Sequence, residues 1–241
     1  MPAACLAVSP SEIPVLLRGE TAPAACWLRE WSSPRFALHL GVILAGSAAF
    51  GAAMGAWRAP LQAFYTAVKF PEVILLTTLG NGLLNGMLAP LLGLNLRFRQ
   101  SLLAVLLSQT ITAAILGAFS PIVLFLVWNT PPMEINGPSA AHAHNFLLLA
   151  ETALIAFAGC VGNVRLFALL REAANGDAAR AKRVLGAWLT GNLLLGGQLA
   201  WILRPFIGSP NLQVEFLRAQ AFQGNFFESI WKTFISMLWH S

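Results

Sequence analysis

Five apolar runs, each close to the length that crosses a bilayer as a helix, constrain this chain more than any other feature. A helix rises about 1.5 Å per residue, so about 20 apolar residues span about 30 Å of hydrocarbon. The runs are Phe36 to Trp57, Val73 to Gly93, Leu102 to Trp128, Phe146 to Leu170 and Val184 to Leu203. Of the 241 residues, 57% are hydrophobic and 10% charged, whereas a soluble domain carries about 25% charged residues. That leaves too little polar surface to cover a globule of this size. Disordered, collagen-like and disulfide-scaffold classes are excluded by the same figures. The expected fold is all-α: a polytopic transmembrane helical bundle of about five spans, with interfacial amphipathic helices.

Lys and Arg concentrate in the cytoplasmic loops of membrane proteins, and here they divide unevenly between alternate sides of five spans. One side holds Arg18, Arg29, Arg35, Arg97, Arg99, Arg165, Arg171, Arg180, Lys182 and Arg183; the other holds Arg58, Lys69, Arg204, Arg218 and Lys232. Ten against five puts the N-terminus in the cytoplasm and the C-terminus outside. The net charge of +5 is therefore a matter of topology, and nucleic acid is not an expected partner. Seven of the eight tryptophans fall at or beyond run ends, as an interfacial aromatic belt requires.

Three regions follow: a cytoplasmic or interfacial segment over 1–35, the five-span bundle over 36–204, and an outer-face amphipathic segment over 205–241. Ile13 to Leu17 and Trp27 to Trp31 read as short surface segments. Arg58 to Phe70 carries Leu61, Phe64, Tyr65 and Val68 at helical spacing and reads as a helix lying in the headgroup plane. Asn225 to Ser241 places Phe227, Ile230, Trp231, Phe234 and Leu238 on one stripe, suited to anchoring or to docking on a partner subunit. Ser120-Pro121 is expected to kink or divide the overlong third run. The N-terminus lacks a basic signal-peptide region and is expected to be retained. Cys5, Cys26 and Cys160 form no C-x-x-C pair and imply neither a disulfide nor a zinc site.

Helices in lipid associate through small residues and hydrogen bonds. Ser47, Gly51 and Gly55 form one small-residue stripe, and Gly82 with Gly86 forms another; both are expected to be helix contacts within the chain. Asn85, Gln109, Asn163 and Asn192 each lie about 12 Å inside the cytoplasmic ends of their spans. A carboxamide facing lipid leaves polar groups unpaired, so the four are expected to converge as one layer, either a structural network or a polar substrate site. Glu151 is the single acidic residue deep in a span, with Gln198 at matching depth and Arg204 able to reach inward. It is either a structural partner of Gln198 or Arg204, or a group that handles protons or cations.

Other chemistry is thin. His142 and His144 form an H-x-H pair without a nearby carboxylate or thiol, and His39 lacks the matched second histidine of a haem or pigment site. No G-x-S-x-G, H-E-x-x-H or phosphate loop occurs. The sequence assigns no catalytic residue, no metal and no cofactor.

Lys69-Phe70-Pro71 leading into Val73-Ile-Leu-Leu-Thr-Thr, with the five-span pattern and a Pro-interrupted third span, resembles the Yip1-like group of membrane proteins. The run Gln198-Leu-Ala-Trp-Ile-Leu-Arg-Pro-Phe-Ile-Gly-Ser-Pro210 followed by Gly224-Asn-Phe-Phe-Glu228 resembles a set of bacterial inner-membrane proteins without assigned activity. The likeness covers roughly residues 58 to 232. It implies a bacterial inner membrane and a non-enzymatic role in organising membrane or partner proteins. The function expected is that of a non-catalytic scaffold or accessory subunit among other membrane-protein subunits. The alternative is a small transporter or proton-coupled permease using Glu151 and the carboxamide layer, with a membrane-embedded enzyme the third reading.

Overall fold

A computed structural model of the chain describes residues 8–131, 138–208 and 213–228, and of 138–142 the backbone alone. Among the described residues seven helices follow one another: α1 (Glu12–Arg18), α2 (Thr21–Arg29), α3 (Ser33–Gly55), α4 (Pro60–Leu91), α5 (Phe98–Asn129), α6 (Pro138–Ala173) and α7 (Ala178–Ile202). No strand occurs among the described residues. Helices α3, α4, α5 and Ala143–Ala173 of α6 are long and apolar enough to cross a membrane, as a multi-pass protein requires. The 25-residue α7 is more polar, with Arg180, Lys182 and Arg183 in its first turns and Asn192 and Gln198 further on.

Local chemistry sets several of the boundaries. The Ser32 hydroxyl accepts from the Arg35 N–H at 3.4 Å, and Pro34 sits in the first turn of α3, a favoured start for a helix. Pro60 likewise opens α4. Between α6 and α7, Asn175 (φ 55°) and Gly176 (φ 87°) take left-handed backbone. Asp177 then caps α7 by accepting from the Arg180 N–H at 2.9 Å.

Two sequence expectations are corrected here. Arg58 to Phe70 is not a separate surface helix, because α4 runs unbroken from Pro60 through Pro71 to Leu91. Nor does Pro121 divide the third run: α5 is one 32-residue helix. A proline removes a single backbone bond, and helices packed on both sides hold the remainder in register.

The ends of the helices segregate. Trp57 Nε1 donates to the Pro131 carbonyl at 3.1 Å, and a Cβ on Gly208 would lie 2.8 Å from the Arg58 side chain. The α3–α4 and α5–α6 connections thus share one end with the segment after α7. At the opposite end, Arg165 of α6 donates to the Leu17 carbonyl at 3.1 Å, while Arg180 of α7 borders Gly93. Helices α3 to α7 therefore run alternately up and down. Helix α3 lies against α4 and α5; α7 flanks α4 and α6 flanks α5, while α6 and α7 touch each other sparsely.

Both small-residue stripes are packed within the chain. A Cβ on Gly51 would lie 2.5 Å from the Thr66 carbonyl and one on Gly55 2.5 Å from that of Gln62, so this stripe seats α3 on α4. Ser47 is fully buried on the same helix and donates back to the Ile43 carbonyl. Gly82 and Gly86 admit Leu102 and Phe98 of α5. Another close crossing was not foreseen: a Cβ on Gly46 of α3 would run into the Ala113 carbonyl of α5, and one on Gly117 of α5 would lie 2.8 Å from the Gly46 Cα.

Helix α1 covers the first surface segment, whereas α2 begins six residues before the second and ends within it at Arg29; both pack inward, with Leu16 and Trp27 buried. Trp57 and Trp188 are also buried, whereas Trp128 is 78% exposed. Part of the expected aromatic belt is therefore core, because a large indole fills space between crossing helices better than a branched aliphatic. Cys26 is disulfide-bonded, correcting the expectation that no disulfide is present, and Cys160 is free and exposed. Ile230, Trp231, Phe234 and Leu238 of the C-terminal amphipathic stripe lie outside the described residues.

Candidate functional site

Four helices each turn one stripe towards a common space. Leu148, Thr152, Ile155, Gly159 and Asn163 recur every three or four residues on α6, and Asn192, Gly196, Ala200 and Arg204 every four along α7, the spacing of one helix face. Helix α5 adds Ser108, Gln109, Thr112 and Leu116, and α4 adds Phe70, Val73, Ile74 and Thr77. Together they line a cavity of about 690 Å3 beside the sparse contact of α6 with α7. Its chemistry changes along its length: carboxamides and hydroxyls at one end, aliphatic and aromatic side chains in the middle, and Arg204, Arg218 and His144 at the other.

The polar end holds the carboxamide layer. Asn85, Gln109, Asn163 and Asn192 all border one small hollow of about 10 Å3, whose Ser108, Gln109, Asn163 and Asn192 also line the large cavity. A fifth member, Asn81, was missed by the sequence reading although it lies one helical turn before Asn85. Its Nδ2 donates to Asn192 Oδ1 at 3.0 Å, a bond between α4 and α7. Asn163 donates to the Gly159 carbonyl of its own helix at 2.8 Å. Asn85 is fully buried, and neither its nitrogen nor its oxygen has a hydrogen-bond partner among the described residues. The four residues converge, but among the described residues only Asn192 is bonded to another helix.

The charged end is built by a polar stripe on α4. Gln62, Thr66 and Lys69, spaced four and three apart, are fully buried, while Leu61, Phe64 and Val68 on the opposite side are exposed. Gln62 Nε2 donates to the carbonyls of Pro205 at 3.0 Å and Phe206 at 2.9 Å, and the Thr66 hydroxyl donates to that of Phe206 at 2.7 Å. Lys69 Nζ reaches the carbonyls of Pro205 at 3.3 Å and Glu215 at 3.5 Å, 4.9 Å from the Phe216 ring centre. These bonds fold the chain after α7 over the cavity mouth.

Arg204 is stacked 3.7 Å from the Trp201 ring centre and donates to the carbonyls of Trp201, Ala221 and Gln220. Burial, with Arg218 beside it, lowers its pKa from the ordinary arginine value. Arg218 also acts on Lys69, so it lies within electrostatic reach of both other cations, while the Glu72 carboxylate offsets part of the charge at Lys69. Among the described residues no carboxylate forms an ion pair with any of them.

Glu151 lies elsewhere. It is 1% exposed and shares a helix face with Leu147 and Ala158, which pack with Leu116, Val123 and Val127 of α5. Neither carboxyl oxygen has a hydrogen-bond partner among the described residues. The expected pairing with Gln198 or Arg204 is corrected: the cavity separates α6 from α7, Arg204 is taken by backbone carbonyls, and Glu151 faces α5.

A second polar centre was not foreseen. Glu12 of α1 is 1% exposed; Arg35 Nε donates to both its oxygens at 3.0 Å, and His39 Nε2 lies 3.7 Å from Oε2. Arg35 also sits 5.1 Å from the Trp27 ring centre. This cluster ties α1 and α2 to α3. Glu12 gave no signal because a lone acid in a short segment ordinarily faces solvent.

His39 is therefore placed against a carboxylate and an indole, and His144 lies with its ring centre 6.0 Å from that of Trp57. Among the described residues, no group of three or more His, Cys, Asp or Glu could hold a metal ion. No family model, curated protein or solved structure matches the chain.

Proposed function

We propose that the chain is a five-span protein of a bacterial inner membrane, N-terminus in the cytoplasm, which takes an amphiphilic molecule from the bilayer into the cavity between α4, α5, α6 and α7. It acts as a carrier or permease and performs no covalent chemistry. The observation that carries this reading is the graded cavity of about 690 Å3 beside the loosest helix contact in the bundle. That volume is in the range of small-molecule sites, which combine an apolar lining with a few polar groups. The up-and-down run of α3 to α7 supports the fifth span, and the ten-to-five basic asymmetry supports the orientation. The reading relocates the transport site from Glu151 to the cavity. The Yip1-like assignment rests on the residues quoted for it.

Gly159 provides the test, because nothing lies within 4 Å of a Cβ placed there. Native mass spectrometry of the protein released from its own membrane should find one amphiphile per chain, and Gly159→Trp should lose it while keeping the helical circular dichroism spectrum. Purification as a stable larger complex, with no amphiphile bound and no effect of Gly159→Trp, would restore the scaffold or accessory-subunit reading.

A further inference from the structure

Arg204 and Arg218 line the cavity mouth, no carboxylate lines the cavity among the described residues, and the cavity's length matches one leaflet. Arg204 lies two residues beyond the last residue of α7, the depth at which lipid headgroups begin, stacked on Trp201 as an interfacial indole would be. From Arg204 down to Asn192 is about 18 Å along the helix, against about 15 Å for half the hydrocarbon thickness. Between these limits the lining is mostly aliphatic or aromatic, with the hydroxyls of Thr77, Thr112 and Thr152 among it. At the far end Asn192 and Asn163 are already hydrogen-bonded to Asn81 and Gly159, so the floor closes the cavity.

Three positive charges held together are mutually unfavourable in a partly desolvated site. Two of them are immobilised by backbone carbonyls: Lys69 behind the Pro205–Phe206 segment, and Arg204 on Trp201. Arg218 lines the cavity, and its side chain makes no hydrogen bond or ion pair among the described residues. An anion there would relieve the repulsion and gain charge-assisted hydrogen bonds from a guanidinium, the side chain best suited to phosphate.

We infer that the molecule held in the cavity is a membrane lipid with an anionic phosphate headgroup, the headgroup seated at Arg204 and Arg218 and one acyl chain lying along α6 and α7 towards Asn163 and Asn192. This rests on the cavity being an amphiphile site, and it names the class of amphiphile.

The test uses the full chain, stripped of lipid in detergent and supplied with phosphatidylglycerol or phosphatidylethanolamine of identical acyl chains. Retention is read by native mass spectrometry. Both lipids carry the phosphate monoanion, but only phosphatidylethanolamine brings an ammonium against the two guanidiniums; phosphatidylglycerol should therefore be retained about tenfold better, and Arg218→Gln should weaken its retention and shrink that preference towards equality. Arg218 is chosen because it holds no backbone, so its replacement spares the fold; thermal unfolding checks this. Equal retention of the two lipids, with no effect of Arg218→Gln, would overturn the headgroup assignment and leave the cavity reading standing. Retention of neither lipid, with Gly159→Trp also without effect, would overturn both. Inorganic phosphate at millimolar concentration is the third arm: if it displaces phosphatidylglycerol as well as excess lipid does, the mouth is a free-anion site and the lipid assignment fails.

Discussion

Glu12 and Glu151 are both 1% exposed, and they are opposites. Glu12 is held by two bonds from Arg35 with His39 nearby, so Glu12→Ala strands a buried guanidinium. Removing one partner of a buried pair costs about 3–5 kcal/mol, and the loss should appear as a lower unfolding temperature in detergent; an unchanged midpoint would show that the pair contributes nothing net. Glu151 meets apolar neighbours and no hydrogen-bond donor among the described residues. Removing an unsatisfied buried polar group recovers its desolvation penalty, about 1–3 kcal/mol, so Glu151→Leu should raise the unfolding temperature and leave lipid retention intact. A Glu151→Leu protein that is folded but no longer retains lipid would contradict the location of the site. The sequence made Glu151 conspicuous and Glu12 invisible because hydropathy registers a charge within an apolar run, but not a charge that an adjacent short helix brings in from outside. Asn85, Gln109, Asn163 and Asn192 were legible by depth alone. Their partners were not, since depth does not specify which way a side chain turns.

Helix α4 shows how an element can be read with the right period and the wrong solvent. Leu61, Phe64, Tyr65 and Val68 do share a stripe, and Gln62, Thr66 and Lys69 form the opposite one. On a headgroup-plane helix the polar stripe would face water. Here it faces inward, because the carbonyls of Pro205, Phe206 and Glu215 need donors once the chain after α7 folds back, and the apolar stripe is left outside. Periodicity identifies two faces; which one is buried depends on a segment some 140 residues away in sequence, as the separation in the Gln62–Pro205 bond shows. Gln62→Leu keeps the helix and removes two donors. Thr66 still donates to the Phe206 carbonyl and Lys69 to that of Pro205, so the change should cost about 0.5–1.5 kcal/mol per hydrogen bond lost and loosen the segment over the mouth. Ile207 is 4% exposed, so Ile207→Cys should resist a water-soluble thiol reagent alone and react readily when combined with Gln62→Leu. Equal reactivity in the two backgrounds would show that the clamp is not what closes the mouth.

At the scale of the whole molecule, the all-helical fold and the long helices were written in the apolar runs, while the cavity was not, because it arises from the distance between α6 and α7 and no run of residues encodes a gap. The tight Asn175–Gly176 turn joins that pair at one end, and the polar layer bonds α7 to α4 instead of α6, which leaves the space open towards Arg204. The fold's ends make the topology testable at three exposed positions in a background lacking Cys160: Asn129 at the end of α5, Asn175 between α6 and α7, and Gln220 beyond α7. If α7 crosses the membrane and the positive side is cytoplasmic, a membrane-impermeant maleimide applied to intact cells should label Asn129→Cys and Gln220→Cys and spare Asn175→Cys. Labelling of Asn129→Cys alone would mean that α7 returns without crossing, placing Arg204 on the cytoplasmic side and the cavity mouth away from the outer leaflet. Labelling of Asn175→Cys alone would invert the orientation. The five-pass geometry would survive that result, but the ten-to-five asymmetry would not be what sets it, and the lipid at the mouth would come from the inner leaflet.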